Sequence, residues 1–158
     1  MARTQARIGY RTKLQRSNGA SPPEYYTVAE VRNVGGPSLS RDAPEATNMD
    51  SDDGWKEFVK GLKDGGEVTF EVNLLPGSEN DDTPENLRLG HNATDGLLSD
   101  FNNDDTVDDW RLVFPGTGSP PVSWDFAAIL TGFETDEPVD DVMTGSCTLK
   151  VTGKPELQ

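Results

Sequence analysis

From Glu67 to Leu74 every second residue is apolar: Glu67-Val68-Thr69-Phe70-Glu71-Val72-Asn73-Leu74. Successive side chains of an extended chain point to opposite faces, so this run specifies a strand with one buried face and one wet face. The turn signal Lys63-Asp64-Gly65-Gly66 sets its start. The same period returns in Trp110, Leu112 and Phe114, and again in Trp124, Phe126, Ala128 and Leu130. With the turn residues Pro115 to Pro121 between them, these two segments are expected to pair as a hairpin. Residues 6–14 and 25–33 carry aromatic and β-branched residues on either side of a Ser-Asn-Gly-Ala-Ser-Pro-Pro stretch and read as two more strands. A last strand is expected from Val142 to Thr152, ended by Gly153-Lys154-Pro155.

Two segments break this period. Trp55, Phe58, Val59 and Leu62 fit the i, i+3, i+4, i+7 template of a helix, but residues 55–62 are short for one, and a strand stays open. Thr83-Pro84-Glu85-Asn86 has the form of a helix start, with Thr at the N-cap and Pro at the first helical position. Leu87, Leu97, Leu98 and Phe101 continue an uneven apolar face, and Thr94-Asp95 offers a second start, so one helix is expected within 84–102. About six or seven strands and one helix describe a mainly β domain, an antiparallel sandwich or barrel with the helix at an edge.

Composition limits the core. Only 33% of the 158 residues are apolar, while 16 are Gly and 11 are Pro, so a small core is served by long loops. One domain spanning 1–158 is expected, because two would each be near the size at which burial becomes marginal. The segment from Gly35 to Gly54 holds Arg41, Asp42, Pro44, Glu45, Asp50, Asp52 and Asp53 with hardly an apolar residue, and would not pack alone.

The chain has 14 Lys and Arg against 28 Asp and Glu, a net charge of -14. Arg3, Arg7, Arg11, Lys13 and Arg16 all lie in the first sixteen positions, which contain no acid. A uniformly acidic body repels phosphate, which argues against nucleic-acid binding through a basic groove. The basic N-terminus is suited to an anionic surface or to the acidic body of a neighbouring copy. No apolar leader or membrane-length apolar run is present, so a soluble protein made in a cytoplasm is expected.

The residues offer little to catalysis. The one histidine, His91, lies in a polar stretch between Gly90 and Asn92 and is expected to be an exposed loop residue. No nucleophile elbow, phosphate-cradling glycine loop or Cys/His cluster occurs, and neither an enzyme nor a bound cofactor is expected. Cys147, flanked by alternating Met143, Leu149 and Val151, reads as an inert buried thiol. The sharpest competing pattern is calcium. Asp100, Asn102, Asp104 and Asp108 take the first, third, fifth and ninth positions of an EF-hand-like loop. Asp105 stands where the turn wants Gly and Arg111 where the bidentate Glu should be, so no metal is assigned. Trp55, Trp110 and Trp124 suggest a ligand platform, but Trp110 and Trp124 begin the apolar faces of their strands and are expected in the core.

The run Gly54-Trp55-Lys-Glu-Phe58-Val-Lys-Gly61-Leu62-Lys-Asp64-Gly-Gly-Glu-Val68-Thr-Phe70-Glu-Val72 resembles the central motif of the major tail tube proteins of long-tailed phages and gene-transfer particles. The helix, Trp110-Arg-Leu-Val-Phe-Pro, Trp124-Asp-Phe, Thr131-Gly-Phe and Thr148-Leu-Lys-Val-Thr-Gly-Lys-Pro follow in the family's order, so the likeness covers about residues 25–155. The resemblance favours a strand at 55–62. It implies a β-sandwich or barrel with a flanking helix that assembles into stacked hexameric rings, a virion tail tube through which DNA passes without specific binding. It implies partners of the tape-measure, tail-tip and tail-terminator kinds, no membrane, and assembly in the host cytoplasm. Residues 35–54, with Arg41, Asp42, Glu45, Asp50, Asp52 and Asp53, would be the ring-stacking loop. Residues 1–20 would be an arm whose Arg3, Arg7 and Arg11 meet acids of the next ring. The C-terminal immunoglobulin-like decoration domain common in the family is not expected. Two other readings stay open: the inner tube of a contractile injection or secretion machine, and a calcium-dependent extracellular β-sandwich binding module.

Overall fold

The computed structural model describes residues 4, 6, 8–83, 87–104 and 107–158. Among the described residues ten strands and one α-helix follow in order: β1 (Lys13–Ser17), β2 (Tyr25–Val28), β3 (Val31–Gly35), β4 (Ser40–Arg41), β5 (Lys63–Asp64), β6 (Glu67–Asn73), β7 (Arg88–Leu89), α1 (Leu97–Asn102), β8 (Asp108–Val113), β9 (Ser123–Asp136) and β10 (Thr144–Leu157). Eight of them form one sheet in the order β3-β6-β10-β9-β8-β1-β2-β7, and β4 and β5 pair separately. The expected hairpin is present as β8 against β9, with Trp110 opposite Phe126 and Leu112 opposite Trp124.

Residues 25–33 make two strands rather than one. Between them Ala29 and Glu30 turn the chain, Glu30 taking a left-handed φ of 58°. The two strands then lie in opposite halves of the sheet order, so the sheet must curl until its ends approach each other. The corner is tied on both sides: Ala29 N–H donates to the Leu89 carbonyl at 3.1 Å and Asn73 N–H to the Glu30 carbonyl at 2.9 Å. The result is a half-barrel. All its strand pairs are antiparallel except β2 with β7.

Alternation places the core. Val68, Phe70 and Val72 of β6 meet Cys147, Leu149 and Val151 of β10, with Phe126, Ala128 and Leu130 of β9, Trp110 and Leu112 of β8, and Leu14 of β1. Leu97 of α1 plugs the concave side, where the helix packs on β9. Each such fully buried side chain contributes about 1.5–3 kcal/mol. Trp110 is buried as expected, but Trp124, also expected in the core, is only half-buried at its margin, because it stands one residue from the start of β9 where the core ends.

Three boundaries differ from expectation for local reasons. The first strand starts at Lys13, because Gly9 to Thr12 form a turn in which Thr12 N–H donates to the Gly9 carbonyl at 3.1 Å. The last strand does not stop at Gly153-Lys154-Pro155. It absorbs them as a bulge between Thr152 and Glu156, helped by the positive φ of Gly153, and runs on to Leu157. The helix starts at Leu97, where the Asn92 side-chain oxygen accepts the N–H groups of Thr94, Asp95 and Gly96 at 3.2, 3.0 and 2.7 Å. Pro84, Glu85 and Asn86 lie outside the described residues.

Candidate assembly surface

Between β4 and β5 the chain leaves the half-barrel as a two-stranded arm, residues 37–66. Beyond the β4–β5 pair it is stitched by backbone bonds, Asp42 N–H to Leu62, Gly61 N–H to Asp42, Val59 N–H to Pro44 and Ala46 N–H to Glu57, at 2.7–2.9 Å, and near the tip by side chains, Glu57 N–H donating to Thr47 Oγ1 at 2.9 Å and the Ser51 hydroxyl to the Glu57 carboxylate at 2.6 Å. Glu45 and Phe58 form an isolated bridge. Residues 55–62 are therefore extended, as the resemblance implied, but only Lys63 and Asp64 form regular strand. The tip turns through a short 3-10 segment, Asp52–Gly54, with Asp53 and Gly54 at positive φ. At the base, Gly66 has φ +70° and a Cβ there would lie 2.0 Å from the Ser38 carbonyl oxygen, so glycine alone lets the arm join the sheet.

The arm's apolar side chains face water. Leu39, Phe58 and Val59 are exposed, Trp55 is 74% exposed, Leu62 83% and Met49 fully. The helical spacing of Trp55, Phe58, Val59 and Leu62 thus marks no buried face. So many large apolar groups on one projection mark an interaction surface rather than ordinary surface scatter. Arg41, Asp42, Glu45, Asp50, Asp52 and Asp53 all lie on this arm and are exposed, the first three on the outgoing strand and the rest at the tip. Of the basic N-terminal residues, Arg3 and Arg7 lie outside the described residues. Arg11 is exposed in the turn before β1 with its guanidinium 5.5 Å from the Tyr10 ring.

The ionisable residues singled out in the sequence turn inward. His91 is not exposed; it is 3% accessible. Its Nδ1 accepts the Leu75 N–H at 3.0 Å, which leaves Nε2 to donate to the Ala29 carbonyl at 3.0 Å. Burial holds its pKa below the ordinary value, and the neutral ring staples the β2–β3 corner to the segment after β6. The polar neighbours Gly90 and Asn92 concealed this, because the signal was two backbone groups distant in sequence. Asp100 points from α1 into an ion pair with Arg16 of β1, its side chain 6% exposed. Burial pushes its carboxyl up to about 7 against the opposing pull of Arg16. Asn102 ends α1, Asp104 follows it and Asp108 opens β8, half-way into the same buried region, so the EF-hand spacing does not fold as a calcium loop. Among the described residues no group of three or more His, Cys, Asp and Glu is placed to hold a metal. Cys147 is buried in the core, which pushes its thiol up to about 12. On the outer face of β8 and β9, Arg111 donates two bonds to Asp125, at 2.8 and 3.1 Å, and stacks 4.0 Å over the Tyr25 ring. Sequence reasoning missed this clamp, since only the β8–β9 register puts Arg111 opposite Asp125.

A half-barrel with one small helix and a long exposed arm defines a class, the tail-tube fold. The structure superposes on the tail of an empty gene transfer agent particle with a TM-score of 0.67 at 13% identity, covering 97% of this chain and 99% of that one. It superposes on the SPP1 tail tube with a TM-score of 0.61 at 12% identity, covering 95% and 77%. It also superposes on a chain of the anti-feeding prophage baseplate with a TM-score of 0.64 at 8% identity, covering 99% and 97%. No curated protein sequence gives a significant match. The chain belongs to the lambda phage tail tube protein family, whose model matches residues 9–158. It is a structural protein of the virion tail, and the family is not one of enzymes.

Proposed function

We propose that copies of this chain close into six-membered rings that stack into the hollow tube of a virion tail, an acidic-walled conduit for DNA. The observation that carries this is the arm: a finished half-barrel extends, from a glycine-pinched base, a projection whose large apolar side chains are all more than half exposed. Such a surface becomes stable when a neighbour covers it. The two terminal strands of the sheet, β3 and β7, present edges that ring closure would pair, removing the exposed ladders that invite uncontrolled association. Six-fold symmetry is taken from the gene transfer agent tail, which was refined with C6 symmetry.

The net charge of -14 fits a wall along which a polyanion slides without being held. Asp42, Glu45, Asp50, Asp52 and Asp53 with Arg41 act in ring stacking. Arg3, Arg7 and Arg11 of the N-terminal arm meet acids of an adjacent ring. Tape-measure, tail-tip and terminator proteins bound the tube at its inside and ends, and assembly takes place in the host cytoplasm. The baseplate likeness supports a contractile-machine tube at the level of fold, but the family match favours the tail tube. Commitment of Asp100 to Arg16 weighs against the calcium-binding module.

Electron microscopy of the purified chain at high concentration, with and without a calcium chelator, tests this reading. Hollow tubes or six-fold rings are expected in both samples. Monomers that persist even when seeded with tail tips, or particles that dissolve on chelation, would sink it.

A further inference from the structure

Where the arm leaves the barrel, its base and the bulge of β10 enclose an open groove of about 820 Å³. Its floor is apolar, formed by Leu39, Trp124, Val151 and Pro155. Its rim carries Arg41, Lys63 and Lys154. Asp64 also lines it, but that carboxylate already faces Lys150 at 3.4 Å and accepts the Gly66 N–H at 2.8 Å. None of the three rim cations makes an ion pair among the described residues. In a chain with twice as many acids as bases, a groove gathering three of its fourteen cations around a tryptophan is a local reversal of charge.

The tip of the arm is its complement. Between Glu45 and Trp55 there are four acids, Glu45, Asp50, Asp52 and Asp53, and no base. Met49 and Trp55 stand fully or mostly exposed beside them. An extended segment from Ser40 to Asp50 spans about 30 Å, so the tip cannot fold back into the groove at its own base. The basic N-terminal segment would be repelled by the rim cations. We infer that the groove receives the arm tip of a second copy, Met49 or Trp55 entering over Trp124 while Asp50, Asp52 and Asp53 face Arg41, Lys63 and Lys154. Tip and groove are different surfaces of one chain, so the contact is head-to-tail and leaves a free tip and a free groove at each end of a growing stack, which propagates instead of closing. This rests on the tube reading above and names the surface that receives the arm.

The test reverses the charges. Arg41→Glu with Lys63→Glu should raise the concentration needed for tube growth about tenfold or more. Adding Asp52→Lys and Asp53→Lys to the same chain should bring it back toward the wild-type value. Growth unchanged by the groove substitutions, or no recovery in the four-fold variant, overturns the inference. A second measurement does not require tubes. Full-length Met49→Cys chain mixed with full-length Thr152→Cys chain under mild oxidation should give a disulfide-linked heterodimer in excess of either homodimer. The buried Cys147, its thiol pushed up to about 12, stays out of the exchange. Tubes that form while no heterodimer does would sink the groove and leave the tube reading intact. A heterodimer without tubes under any condition would do the reverse.

Discussion

Leu62 and Val68 lie on either side of one glycine turn, yet Leu62 is 83% exposed and Val68 wholly buried. The residues after Gly66 belong to a sheet whose every second side chain meets others from across the half-barrel. The residues before it belong to an arm held by hydrogen bonds, most of them between backbone groups, with little apolar burial of its own. Net, each such bond contributes only about 0.5–1.5 kcal/mol, because water offers the same groups an alternative. The sheet is stable by what it buries within the chain; the arm leaves its large apolar side chains uncovered.

The largest effect expected from that contrast is all-or-none. Replacing residues 42–60 by a short Gly-Ser turn should abolish tubes seen by electron microscopy, while the thermal midpoint of the monomer moves by no more than about 3 °C. A large drop in midpoint would show that the arm shares the core's stability. Next in size, Trp110→Ala should lower monomer stability in urea by about 3–5 kcal/mol, since the indole is 1% exposed and packs against the Phe70 ring at 6.4 Å. His91→Ala should cost about 2–3 kcal/mol, as the Leu75 N–H and Ala29 carbonyl lose buried partners.

The effects of pH are smaller and opposed. His91 has a depressed folded pKa, so the unfolded chain binds its proton first and stability falls as pH drops through the ordinary histidine value of 6.5. Asp100 has a raised one, so the folded chain binds a proton between 3.8 and about 7 that the unfolded chain lacks, and its share of stability is lost as pH rises through that window. Asp100→Asn should remove that second slope, read as a wild-type minus variant difference in urea midpoints from pH 4 to 8. Equal differences at all pH values would refute the assignment. Smallest of all, Phe58→Ser on the arm should shift monomer stability by less than about 0.5 kcal/mol while weakening assembly.

Strand periodicity was read directly where one face is buried and one wet. Glu67–Asn73 and the pair of strands around Trp110 and Trp124 stand where alternation put them, and the lone thiol Cys147 lies in the core. The outgoing half of the arm was legible as a segment, 35–54, unable to pack alone, but the returning residues 55–62 imitate a helix and were not legible as its partner. They imitate one because spacing reports only which residues share a face, not whether anything covers it. His91 and Asp100 misled for the opposite reason. Polar neighbours in sequence say nothing of a carbonyl sixty residues away, and ligand spacing says nothing of a guanidinium on another strand.

By itself, then, the order of residues determined the local choices: the alternating strands, the glycine and proline punctuation, the acid-rich arm, the negative body. These depend on interactions between near neighbours and on the solubility of each side chain. Tertiary structure alone decided that residues 25–33 divide and send their halves to opposite sides of the sheet order, that Gly153-Lys154-Pro155 bulges instead of ending β10, and that Arg16 meets Asp100. It also decided that Arg41, Lys63 and Lys154 gather around Trp124. Such outcomes depend on which strands become neighbours, and that is settled by closing the curled sheet over one shared core.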